Sequence, residues 1–201
     1  FMGPDGTGGI FGIVLATIVG LVLGFLAMFF TYKDEVQEET KEVVKSEQLI
    51  QQEVIVSPIK GDVMPLEMIK DEVFSKGLLG KGVAIEPTEG KVVAPVDGVV
   101  TTLFPTYHAI GITSDKGAEI LIHVGMDTVQ LEGKCFTPKI AQGDKVKAGQ
   151  LLLEFDIKGI KNAGLPVTTP VIITNSDNYL DVIETDKKKT ERKEEIIKVM
   201  L

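Results

Sequence analysis

Imidazole is scarce in this chain, and both copies stand in apolar, strand-like sequence. Of 201 residues two are histidines: His108 in "TYHAIGI" (106–112) and His123 in "GAEILIHVGMDTV" (117–129). Side chains alternate along a strand, so Leu121 and His123 share one face while Ile122 and Val124 share the other; upstream, Ile110 and Ile112 share the face of His108. A short turn at 113–117 joins the two segments as antiparallel neighbours. Both histidines lie about seven residues from its centre, the near-symmetry a cross-strand pair needs. The pairing depends on register, because a slip of one residue turns one ring to the opposite face. A single histidine in an apolar strand is ordinarily a satisfied core residue. Two of them, equidistant from one turn, argue for a shared site.

Two facing neutral imidazoles can do two kinds of chemistry. Histidine is the commonest zinc ligand, and the spacing His123-x3-Asp127 mimics part of a zinc peptidase centre. Such a centre also needs a third strong ligand and a base, and the downstream His-x-His pair of β-barrel peptidases is missing. One reading is therefore a zinc peptidase-like barrel, or a zinc-binding regulatory or docking module, built on His108, His123 and Asp127. The other is nucleophilic: an imidazole attacks phosphorus and carries the phosphoryl group covalently, while the second donates a hydrogen bond to the phosphoryl oxygens. That route needs no metal and no cofactor. Thr106 can bond a ring nitrogen or an anion, and Asp127 can orient a ring or simply make a turn.

The elements that must position these residues read as all-β. From Ile59 to about Leu180 the chain consists of short Val/Ile/Thr-rich runs punctuated by Gly, Asp and Pro, the pattern of an antiparallel sandwich or barrel. Thr88-Glu89-Gly90, Val96-Asp97-Gly98 and Ser114 to Gly117 are expected hairpin turns. Short helical pieces are expected in "PLEMIKDEVFSKG" and "IKGIKNAG".

The flanks differ in kind. Gly9 to Phe30 contains no charged residue and is long enough to cross a bilayer as a helix. No Lys or Arg precedes it, whereas Lys33, Lys41 and Lys45 follow, which places everything after Phe30 in the cytoplasm. A secretory signal is disfavoured by the lack of a basic leading region. Because the chain starts Phe1-Met2, it is expected to be the C-terminal part of something longer. Residues 32–56 read as a charged, helix-forming linker, and residues 183–201 as a charged tail, frayed or disordered, with no assigned role. A formal net charge of −8 argues against nucleic acid as a partner. A single cysteine, Cys135, excludes an internal disulfide and fits a reducing compartment; it is read as structural or incidental.

With those segments in hand, the chain resembles the glucose-family IIA component of the bacterial phosphoenolpyruvate-dependent sugar phosphotransferase system. The resemblance is carried by "GAEILIHVGMDTV", by "GKGVAIEPTEGKVVAPVDGVV" (80–100), "TYHAIGI", "GDKVKAGQLLLEFD" (143–156) and "TPVIITN" (169–175). It covers residues 58 to 180 in order and is most similar to IIA domains fused to β-glucoside, sucrose or trehalose permeases. It implies an organisation: residues 1–31 as the last transmembrane helix of a IIC permease domain, 32–56 as linker, 57–182 as the IIA phosphocarrier domain, all in or under the bacterial plasma membrane. It implies a compact antiparallel fold with a shallow site. By position it implies roles. His123 accepts the phosphoryl group from phospho-HPr, His108 assists its onward transfer to a IIB cysteine, Thr106 bonds near the second ring, and Asp127 lies beside the site. Phe74, Phe104 and Leu121 fall on an apolar rim where partner proteins dock. The intact permease is expected to be a homodimer. A IIB domain is absent from this sequence, so the acceptor is another part of the polypeptide or a separate chain. "APVDGVV" and "GDKVKAGQLLLEFD" also resemble biotinyl and lipoyl carrier hairpins, but no modifiable lysine stands at a hairpin tip here.

Overall fold

Period-two burial along Glu119–His123, with Ile120 and Ile122 inside and Leu121 and His123 half-buried, shows how this chain builds its sheets: one face of each strand enters a shared core and the other remains outside. The computed structural model describes residues 51–201 and, of residues 1–50, only Leu21 and Met28. The expected transmembrane span and nearly all of the linker lie outside the described residues. Among the described residues no helix is long and apolar enough to cross a membrane.

In chain order the elements are β1 (Gln52–Val56), β2 (Gly61–Pro65), α1 (Glu72–Ser75), β3 (Lys81–Pro87), β4 (Lys91–Val93), β5 (Gly98–Leu103), β6 (Ala109–Ser114), β7 (Glu119–His123), β8 (Phe136–Pro138), β9 (Lys145–Val146), β10 (Leu151–Phe155), α2 (Ile157–Asn162), β11 (Thr169–Ile173), β12 (Asp181–Glu184), β13 (Lys189–Thr190) and β14 (Glu195–Met200). They form an eight-stranded sheet in the order β13-β2-β3-β11-β7-β6-β5-β9 and two three-stranded sheets, β1-β14-β12 and β4-β10-β8. The expected all-β antiparallel architecture is what the described residues adopt. Ile85, Ile110, Ile112, Ile120 and Ile122 of the large sheet pack with Leu152, Leu153 and Ile197 of the small ones in one apolar core.

A second, smaller cluster covers the outer face of the large sheet. Leu66, Ile69 and Phe74 pack on Ala84 of β3, Ile172 of β11 and Met126, with Leu121 of β7 against them. Both expected helical pieces are present and short. The stretch after β2 makes a 3-10 turn at Leu66–Met68 and then α1, whose N-cap Asp71 accepts from the N–H groups of Val73 and Phe74. The other is α2, capped by Asp156.

Three expectations change. The tail does not fray: β14 runs between β1 and β12, and Ile196, Ile197 and Val199 are buried. The Lys- and Glu-rich run before it conceals a strand whose pairing partners lie elsewhere in the chain. For the same reason residues 52–56 are not linker; they form β1, paired with β14 from Gln52↔Met200 onward. The turns at 88–90 and 96–98 join no hairpin. β4 pairs with β10, not with β3 or β5, so each turn carries the chain from one sheet to another. Only the turn at 114–117 closes an expected hairpin, β6 to β7, with Gly117 at φ 97°.

Candidate functional site

His123 is the last residue of β7 and His108 immediately precedes β6. Their rings meet edge-on, centroids 4.9 Å apart and planes at 81°. The ladder does not pair them directly: His123 faces Ala109, and the N–H of Val124 donates to the His108 carbonyl at 2.7 Å. The expected cross-strand register is thus off by one, which in regular strands would put the rings on opposite faces. They meet all the same at the end of the ladder, where His108 lies just outside β6, next to Tyr107 at φ 58°.

Each ring is held from its Nδ1 side. His123 Nδ1 lies 2.8 Å from the Gly125 carbonyl oxygen. A carbonyl only accepts, so Nδ1 carries the proton and Nε2 keeps its lone pair. His108 Nδ1 lies 2.6 Å from Thr106 Oγ1, the partner expected from the sequence. Phe74 packs on His123 (centroids 5.2 Å) and Phe104 on His108 (5.4 Å). Of the expected rim, Phe104 is 40% exposed whereas Phe74 is 7% exposed and belongs to the floor of the site. Leu121 is half-buried beside His123 on the same face of β7. Val73 on α1, next to Phe74, and Val129, two residues after Asp127, are exposed as well.

The electrostatics keep both rings neutral. Burial, and then the neighbouring His123, pull His108 from 6.5 down to about 4. Burial also holds His123 below its ordinary value, opposed by the Gly125 carbonyl and by the carboxylates of Asp71 and Asp127. Asp127 is exposed, in the left-handed region at φ 58°, and acts on the ring through its charge; the orienting hydrogen bond comes from Gly125. Reading side-chain types found His108, His123, Thr106 and Asp127. It passed over Asp71 and Gly125, the second of which acts through its backbone carbonyl and leaves no side-chain signature. Asp71 carried a legible signal, an N-cap aspartate before "EVF".

Cys135 is half-buried and unpaired, with burial pushing its thiol up. The zinc reading, which needs three ligands on one ion, has no support: among the described residues no three His, Cys, Asp or Glu side chains converge.

Comparison with known proteins agrees with this geometry. Residues 53–179 match the family model described as phosphoenolpyruvate-dependent sugar phosphotransferase system, EIIA 1. The chain is 58% identical over 139 residues to the PTS system beta-glucoside-specific EIIBCA component of Halalkalibacterium halodurans, covering 69% of this chain and 22% of that one. It is 51% identical over 179 residues to the protein of the same description in Bacillus subtilis, covering 89% of this chain and 29% of that one. The chain therefore spans less than a third of either relative. Among solved structures, the glucose permease IIA from Mycoplasma capricolum superposes with a TM-score of 0.68 at 32% identity, over 74% of this chain and 96% of that one.

Proposed function

Because this chain belongs to the EIIA 1 family of the phosphoenolpyruvate-dependent sugar phosphotransferase system, we propose that its described domain carries a phosphoryl group on His123, received from phospho-HPr and passed to a IIB cysteine. One observation carries the reading. The Nδ1–H of His123 is committed to the Gly125 carbonyl at 2.8 Å, so Nε2 is the free nucleophile, and it belongs to a ring kept neutral by burial.

In the transfer, the Nε2 lone pair of His123 bonds to phosphorus as the phosphorus–nitrogen bond to the donor breaks and the donor leaves with that electron pair. The positive charge that develops on the ring is delocalised toward Nδ1–H and stabilised by the Gly125 carbonyl. Thr106 donates its hydroxyl to His108 Nδ1, which leaves the proton of that ring on Nε2, where it donates to the phosphoryl oxygens. Phe74 and Phe104 pack beside the two rings and exclude water from a labile phosphohistidine. Asp71 and Asp127 place negative charge at the site, which favours a donor that presents a cation.

The relatives' description, a beta-glucoside-specific EIIBCA component, supports a reading of the wider assembly. The proposal is that residues 1–31 end a IIC domain in the plasma membrane, that the domain after them works at the cytoplasmic face, that the sugar is a β-glucoside, and that the intact permease is a homodimer. Incubating the 201-residue chain with phosphoenolpyruvate, Enzyme I and HPr tests the carrier step. Intact mass is expected to show one acid-labile phosphate, lost in His123→Ala. His108→Gln is expected to accept phosphate and pass it on poorly. An unphosphorylated wild-type chain would overturn the carrier reading, and wild-type handover by His108→Gln would overturn the second role.

A further inference from the structure

The peptide unit between Gly125 and Met126 is held at both ends. Its carbonyl receives Nδ1–H of His123 at 2.8 Å, and its N–H donates to the Pro166 carbonyl at 3.2 Å. Two bonds in line across one peptide polarise each other in the same sense. The unit turns through Gly125 at φ 75°, a conformation that glycine adopts without strain.

Thr128 closes this turn. It is fully buried, and its hydroxyl donates to the Val124 carbonyl at 2.6 Å. A Cβ on Gly125 would come within 2.6 Å of both the Thr128 methyl and the Pro166 oxygen, so the threonine methyl fills the space beside the glycine. Val124 also donates its N–H to the His108 carbonyl at 2.7 Å. The residue that Thr128 grips is therefore the one that ties the backbones of the two histidines together.

The geometry points to Thr128 as a positioning residue: it holds the Gly125–Met126 peptide in the turn that selects the Nδ1–H tautomer of His123. Without that hold the carbonyl rotates away, the proton redistributes between the ring nitrogens, and Nε2 loses its lone pair in the fraction that carries Nε2–H. The consequence for transfer rests on the phosphoryl-carrier reading; the tautomer does not. A threonine that merely satisfied a buried carbonyl would change stability and leave the tautomer untouched.

The test labels the ring nitrogens of the intact chain with 15N and reads the tautomer of each histidine by NMR at neutral pH, in wild type, Thr128→Val and Thr128→Ser. Wild type and Ser, which keep the hydroxyl, are expected to hold His123 as Nδ1–H. Val is expected to populate both tautomers at His123 with His108 unchanged, and to slow phosphoryl acceptance about five- to tenfold, the effect of one hydrogen bond. If Val does not fold, Thr128→Ala is read in the same way. A hydroxyl-less variant that folds and keeps a single Nδ1–H tautomer overturns the inference, as does Ser losing it. If the tautomers shift as stated while even wild type takes no phosphate, the carrier reading fails and the positioning role stands.

Discussion

His108 and His123 touch ring to ring at 4.9 Å although the β6–β7 ladder sets His123 opposite Ala109. The contact is made at the end of the ladder, where His108 lies just outside β6. Tyr107, next to His108, stands in the left-handed region at φ 58°, a conformation that costs energy in a residue with a side chain.

That assignment is testable at Tyr107. A β-branched residue tolerates the left-handed region worst, so Tyr107→Ile should lower stability by about 1–2 kcal/mol from the backbone alone. The lost packing of the ring on the core acts in the same direction. Urea unfolding reads the stability, and NMR reads whether the ring-current shift between the two histidines is lost. Unchanged stability would show that the left-handed backbone at Tyr107 carries no strain.

The pH behaviour of the pair has a definite sign. The folded value of His108 is depressed from 6.5 to about 4, so between those values the unfolded chain binds the extra proton. The stability this group contributes is complete above 6.5 and is lost as pH falls toward 4. His123, lowered in the same sense, adds to the trend. NMR titration should place the His108 midpoint near 4 and raise it in His123→Ala, which removes a neighbouring charge and opens the site. A His108 midpoint at the ordinary value would contradict the buried neutral pair.

Glu53 gives the opposite sign. It is 6% exposed and accepts from Ser114 Oγ at 2.9 Å, linking β1 to the turn that joins the two histidine strands. Burial raises its carboxyl above the ordinary 4.5, against the Ser114 bond and the Lys116 charge. Between the unfolded and folded values the folded chain holds the proton, so stability from this group declines as pH rises above 4.5. Glu53→Gln keeps an acceptor for Ser114 and should remove that slope, so its advantage over wild type grows with pH. Parallel pH profiles for the two proteins would show that Glu53 is not the source.

The C-terminal strand should matter for folding. Ile197 is 1% exposed in β14, between β1 and β12. Ile197→Ala is expected to cost about 2–5 kcal/mol, whereas Lys198→Ala, on the open face of the same strand, should change stability by less than about 0.5 kcal/mol. Denaturant unfolding of the two variants distinguishes a core strand from a loose tail, which would leave both neutral.

The sequence by itself determined the kind of protein and singled out the histidine pair. Alternation in "AEILIH" and the Gly/Asp punctuation implied antiparallel strands, because side-chain period and turn conformation are local properties of the chain. Two imidazoles flanking one turn implied a shared site, and the same words carried the family resemblance. Only the tertiary structure decided how that site is made. The tail became β14 because Ile196, Ile197 and Val199 bury against strands more than a hundred residues upstream, beyond the reach of any local pattern. The turns at 88–90 and 96–98 became crossings between sheets because sheet partners, not turn residues, choose where a strand goes. The rings met although the ladder sets His123 opposite Ala109, and the tautomer of His123 came from a backbone carbonyl. Backbone geometry of that kind is set by packing around it, here by Thr128 and Pro166, and the identity of a residue does not state it.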